Sequence, residues 1–180
     1  MSSCDGRVFQ RWGEAFLRPG PQTTGNWFYG DNYLGWGLIE TPSGLSGAPR
    51  ELSLFATENT RRQPGTRIRR YTLRLDGFVS VEAPLGGGGF TTRPLQVEGH
   101  HLVVNIATSA AGSLRVGLLD ASDSPLPGFS ADECVPVIGD DLERTVRWRG
   151  GGDVATVTRA PVRLQVRIAD ADLYSFQFRP

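Results

Sequence analysis

Strict alternation of apolar and polar residues marks the second half of the chain. Val162 to Ile168 places Val162, Leu164, Val166 and Ile168 on one face and Arg163, Gln165 and Arg167 on the other. Ser113 to Leu119 sets Leu114, Val116 and Leu118 against Ser113, Arg115 and Gly117, and Leu142 to Trp148 repeats the period with Leu142, Arg144, Val146 and Trp148. Leu173 to Phe178 puts Tyr174, Phe176 and Phe178 on one face, while His101 to Ala107 is a more continuous apolar run. A period of two predicts strands with one wet and one dry face, as in antiparallel sheets. Glu51 to Thr57 alternates in the same way, and Thr66 to Leu75 shares one face between Leu73 and Leu75. No window of a dozen residues carries apolar positions at helical spacing.

Turn signals separate these runs. They include Asp76-Gly77, Gly86 to Gly89, Ala111-Gly112, Ser124-Pro125 with Pro127-Gly128, Gly139-Asp140 and Gly150 to Gly152. The four glycines from Gly86 lack a following Lys-Ser/Thr and read as a flexible hairpin connection, not a phosphate loop. Ser130 to Cys134 reads as one helical turn with Ser130 as its N-cap. The expected fold is therefore all-β: an antiparallel, jelly-roll-like β-sandwich of seven or eight strands over residues 76–180. Residues 1–75 form a separate, aromatic-rich β segment. Three of the four tryptophans (Trp12, Trp27, Trp36) lie there, with short strands expected at Val8–Trp12, Glu14–Leu17 and Trp36–Glu40.

Composition removes several function classes. The 180 residues carry 19 basic and 19 acidic side chains, so no net field draws the chain to nucleic acid or a membrane surface. No run of 18 apolar residues occurs, and the N-terminus shows no basic region followed by an apolar stretch. Cys4 and Cys134 allow at most one bridge and have no metal-ligand spacing. Every basic residue is Arg, which favours planar Arg–carboxylate pairing. Arg61, Arg62, Arg67, Arg69, Arg70 and Arg74 are accordingly expected to form a solvated or ion-paired face.

An ordered series of phrases then suggests a relationship. SSCDGRVFQRW is followed by EAFLRPG, NWFYGDNYLGWGLIETP, ELSLFATEN and RIRRYTLRLDGFVSV. The series resembles the last blade of five-bladed β-propeller proteins related to the fructan- and arabinan-hydrolysing families. DGFVSVEAPLGGGGFTTRPL, LVVNIATSAAGSLRVGLLD, PLPGFSADEC and DADLYSFQFRP resemble the β-sandwich that follows the propeller in such bacterial proteins. The resemblance implies a glycosidase neighbourhood with the catalytic blades missing, and Met1 stands where those proteins have an internal residue. A single unpaired blade exposes strand edges, which proteins normally cover, so a homo-oligomer or a rearranged N-terminal segment is expected.

Candidate chemistry follows from both readings. Glycoside hydrolysis needs two carboxyl groups, about 5–5.5 Å apart in retaining enzymes and about 6.5–9.5 Å in inverting ones. Glu14, Asp31, Glu40 and Glu58 are the candidates, and Asp5 before Gly6 reads as a turn residue. Sugar binding instead needs flat aromatic faces with a few polar groups. Trp27, Tyr29, Asp31, Asn32, Tyr33 and Trp36 supply these and are the candidate ligand-binding set, the other expectation being that the rings form core. The partner implied is a polysaccharide or oligosaccharide, with neither nucleic acid nor membrane. His100-His101 opens a strand and cannot chelate one metal from opposite faces. No cofactor is expected; a structural calcium ion at Asp120, Asp123, Asp132, Glu133, Asp140 and Asp141 is a weaker reading, since no EF-hand spacing is present.

Overall fold

The computed structural model describes residues 1–180 except 4, 23, 25, 26 and 62–64. Cys4, Asn26 and Arg62 thus lie outside the described residues. The protein is all-β and sandwich-like, with two antiparallel sheets. It divides into two compact units, Met1–Gly77 and Phe78–Pro180.

The N-terminal unit carries a three-stranded sheet in the order β1 (Ile39–Thr41), β2 (Glu51–Glu58) and β3 (Arg67–Arg74). The alternating runs at 51–57 and 66–75 become β2 and β3, paired from Glu51↔Arg74 to Glu58↔Arg67. The strands expected at Val8–Trp12 and Glu14–Leu17 do not form. A bridge between Ser2 and Gln10 ties that region, around a turn in which Asp5 Oδ1 accepts from the backbone N–H groups of Arg7 and Val8. Those two N–H groups and the Ser3 hydroxyl hold the Asp5 carboxyl below its usual range, as expected of a structural turn residue. Few apolar side chains are buried in this unit: among its described residues, Leu54 and Ala56 of β2 are.

The C-terminal unit is one curled sheet built on two long strands, β6 (His101–Leu119) and β8 (Arg163–Arg179). β4 (Val81–Ala83) and β5 (Gly88–Thr91) pair with successive stretches of β8, and β7 (Asp140–Thr145) pairs with β6. The runs expected to be separate strands, 101–107 with 113–119 and 162–168 with 173–178, are joined, so the strands are fewer and longer than expected. Irregularities in register do the joining. Thr108 faces Ala171 and Ser113 faces Ala169, so β6 advances five positions while β8 advances two. The extra residues bend the sheet without moving the inward parity: Leu102, Val104 and Ile106 before the bend, and Leu114, Val116 and Leu118 after it, all enter the core.

On β8 the parity does move. Asn105 faces Ser175 and Ile106 faces Leu173, one residue being extruded between them. Phe176 and Phe178 pack against the core as the sequence suggests, but Leu173 is buried there instead of Tyr174. Leu164, Val166 and Ile168 complete the layer, with Val146 and Trp148 beside it. The Trp148 indole donates to the Val116 carbonyl at 2.9 Å and its ring tilts against Phe129 at 5.1 Å. Burying a large ring with its one donor satisfied combines a large apolar contribution with no polar penalty. Ser130 caps a single turn reciprocally with Glu133: the Glu133 N–H donates to Ser130 Oγ, and the Ser130 N–H donates to Glu133 Oε2.

Two glycines have steric duties that the sequence does not distinguish from turns. Gly86–Gly89 is not a free hairpin connection: Gly88 and Gly89 open β5, and a Cβ on Gly89 would lie 2.4 Å from the Val166 carbonyl oxygen. A Cβ on Gly112 would lie 2.2 Å from the Asp170 oxygen. Gly112→Ala is therefore expected to lower stability by about 1–3 kcal/mol, as overpacking against backbone does. Gly150→Ala, with open space around it, should be near neutral. Urea denaturation of the full chain followed by far-ultraviolet circular dichroism compares the two.

Candidate functional site

The aromatic segment is held to β2 by backbone bonds. The Asn32 N–H donates to the Thr57 carbonyl at 2.7 Å, the Thr57 N–H to Tyr33 at 3.0 Å, and the Gly35 N–H to Phe55 at 2.7 Å. Leu34 thus faces Ala56 across an antiparallel bridge, and five residues later Ile39 faces Ser53. The segment advances five positions while β2 advances three, so two extra residues are extruded between Gly35 and Ile39. Gly37, at φ 97°, supplies a backbone conformation that other residues rarely adopt. Trp36 stands at this extrusion and is fully exposed. A bulge of this kind re-aims a side chain away from its sheet.

The other rings are also on the surface. Tyr29 is 86% exposed, Trp27 61% and Tyr33 53%. The expectation that these rings form core is not met in this structure. Tyr29 and Tyr33 meet edge to face at 6.1 Å, and the Tyr29 hydroxyl raises the Tyr33 phenol above its usual pKa. Trp27 is anchored by its indole N–H, which donates to the Gly20 carbonyl at 3.1 Å.

The polar members of the predicted set serve the local fold. Asp31 Oδ1 accepts from the Thr60 N–H at 2.8 Å, while the Thr57 and Thr60 hydroxyls both donate to the Gly30 carbonyl. Asn32 is half-buried at φ 63°, a left-handed conformation that Asn tolerates better than most residues. The structure thus brings Tyr29, Asp31, Asn32 and Tyr33 together in one turn against β2, with Trp36 at the neighbouring extrusion.

The remaining carboxylate candidates are each engaged by arginine. Glu14 pairs with Arg18 four residues on, and Glu40 pairs with Arg50 at 2.5 Å. Glu58 is the most enclosed, with its side chain 16% exposed. It accepts from Arg67 at 2.9 Å, Arg69 at 2.5 Å and the Tyr71 hydroxyl at 3.0 Å. Register explains the cluster: Glu58 lies opposite Arg67, and residues 67, 69 and 71 share one face of β3. On the opposite face Arg70 donates to Ser53, Thr41 and Glu51. Arginines of β3 are thus drawn into cross-strand pairs on both of its faces.

The acids considered for calcium also have separate partners. Asp120 accepts from the Ser122 and Ser124 N–H groups; Asp123 pairs with Arg163, Asp132 with Arg167 and Asp141 with Arg144. Among the described residues, no three His, Cys, Asp or Glu side chains are grouped to hold a metal ion. His100 Nδ1 lies 3.0 Å from Asp153 Oδ1. Cys134 is a free, buried thiol whose pKa is pushed up by burial. Compared with family models, curated proteins and solved structures, the chain matches none.

Burial alone would raise the Glu58 carboxyl, but the bonds from Arg69, Tyr71 and Arg67 together hold it below its ordinary value of 4.5. Its contribution to stability is therefore fully present above pH 4.5 and is lost as pH falls through the lower folded value. Glu58→Gln should cost about 1–2 kcal/mol at neutral pH, the arginines being well exposed. It should also flatten the acid limb of the stability curve, which urea melts of the full chain between about pH 3 and 7 would record.

Proposed function

We propose that the chain is a non-catalytic, carbohydrate-associated β module that binds a polysaccharide or oligosaccharide through Trp27, Tyr29, Tyr33 and Trp36. The observation that carries this reading is the exposure of all four rings on one short segment tied to β2. Exposed aromatic faces suit the apolar faces of sugar rings, and the turn around Asp31 holds Tyr29 and Tyr33 edge to face before any ligand arrives. The resemblance to the blade and sandwich of propeller glycosidases points to the same substrate class. The arginine pairing of Glu14, Glu40 and Glu58 supports binding over hydrolysis, because none of the three is left as an unpaired acid or base.

Trp27→Ala with Trp36→Ala should abolish binding to a panel of β-glucan, xylan, arabinan and fructan oligosaccharides. Isothermal titration of wild type and variant reads the binding, and reducing-end assays of the same samples should show no cleavage. Cleavage would replace this reading with a small glycoside hydrolase using the N-terminal carboxylates. Silence in both channels would replace it with a structural domain.

A second reading has its own observation. Val8, Phe9, Phe16 and Leu45 of the N-terminal unit are also exposed, beyond what a sugar platform needs. Apolar surface of this kind marks an assembly contact, in keeping with the homo-oligomer implied by uncovered strand edges. Light scattering coupled to size exclusion should then give a mass that is a multiple of 19.6 kDa. A monomer at micromolar concentration would remove the assembly reading.

A further inference from the structure

The C-terminal unit has a concave surface that the aromatic segment does not explain. Two adjoining cavities of about 380 and 480 Å³ share Thr145 and Arg147. One continues to His101, Arg149, Gly151 and Gly152; the other continues to Val135, Pro136, Glu143 and Arg144. Each volume falls in the range of small-molecule sites, and together they form a groove.

Strand register brings His101, Arg147 and Arg149 together at one end of it. Val103 faces Thr145 across β6 and β7, and the Val146 N–H donates to the Leu102 carbonyl. Continuing this register puts His101 beside Arg147. On its other side His101 faces Arg179. Val146 and Trp148 are buried, so Thr145, Arg147 and Arg149 share the outer face. Arg147 and Arg149 are two positions apart, roughly 6.5 Å along an extended chain.

The neighbouring charges are mostly engaged elsewhere. Glu143 engages Arg179 at 2.5 Å and Asp141 engages Arg144 at 3.3 Å. Glu133 feels Arg149 electrostatically, but its carboxylate accepts two bonds from Ser130. Arg147 has no ion pair or side-chain hydrogen bond among the described residues. Its guanidinium remains a planar fork of donors beside a groove, a geometry suited to a carboxylate.

We propose that this groove binds an acidic polysaccharide, with Arg147 taking a uronate carboxylate and Arg149 and His101 flanking it. Two arginines at strand spacing on a concave surface suit neighbouring carboxylates of one chain better than a single small anion. A nucleic acid is disfavoured because the groove's aromatic residue, Trp148, is buried with its indole N–H committed to Val116. It offers no open ring face for base stacking.

This site is independent of the aromatic segment, so the two can fail separately. Oligogalacturonate should bind the full chain at low salt and weaken as salt is added, whereas any binding of the neutral galactan of equal length should be insensitive to Arg147→Gln. By isothermal titration, Arg147→Gln should weaken oligogalacturonate binding by roughly tenfold or more, the loss of a charge-assisted hydrogen bond. Arg147 is exposed, so the melting temperature of the variant should match that of the wild type. The difference in uronate binding between wild type and Arg147→Gln should persist in a Trp36→Ala background. No uronate binding by the wild type, undiminished binding by Arg147→Gln, or loss caused only by Trp36→Ala would each overturn the proposal. Tighter, Arg147-dependent binding of single-stranded oligothymidylate would overturn it in favour of a nucleic-acid site.

Discussion

The pairing of β6 with β8 carries the C-terminal unit. It runs from His101↔Arg179 to Leu119↔Arg163, and every other strand of that unit joins one of the two. Two strands this long would form a flat ribbon with an uncovered apolar face. The register shifts at 105–106 and 108–113 bend the ribbon so that its two halves share one core. Curvature therefore substitutes here for a second sheet of separate strands. Gly112 is part of that bend, since any side chain there would meet the β8 backbone.

The N-terminal unit rests on different physics. With Leu54 and Ala56 as the buried apolar side chains among its described residues, it depends on sheet hydrogen bonds and on polar cross-links around β2. Ion pairs between exposed arginines and carboxylates stabilise little by themselves. The enclosed Glu58 is an exception, because it gathers three donors from one neighbouring strand. A unit built this way leaves its rings in water, where covering apolar surface yields roughly 25 cal/mol per Å². That remaining driving force makes a ligand or partner on the aromatic segment physically reasonable.

Strand positions were legible because apolar patterning is local: β2, β3, the second half of β6 and both halves of β8 lie where the period of two places them, and the first half of β6 lies on a continuous apolar run. Bulges were not, because an extra residue is defined only against its partner strand. Val8–Trp12 carries apolar residues, but among the described residues its pairing stops at the single bridge from Gln10 to Ser2. Gly86–Gly89 and Gly112 look like turns because a glycine that permits positive φ and one that merely lacks a Cβ are identical in sequence. At the candidate site, the aromatic cluster was visible in the sequence, but the extrusion that turns Trp36 outward was not. Arg147 carries no distinguishing signal in LERTVRW, since its setting comes from Leu102 and Val103 on a distant strand.

The exclusive use of arginine acquires meaning from these contacts. A lysine ends in one compact ammonium group, whereas an arginine presents several donors in a fixed fork. Arg70 uses that fork to join Thr41 on β1 with Glu51 and Ser53 on β2. Arg163 joins the Thr92 carbonyl to Asp123, tying β8 to two loops far apart in sequence. Arg115 reaches the Cys134 carbonyl, and Arg167 reaches both Asp132 and Gln165. In a fold poor in helices and rich in irregular connections, such forks fasten loops that have no regular ladder of their own. Arg147 has the same reach and no such partner among the described residues, which sets it apart from the arginines that hold the fold.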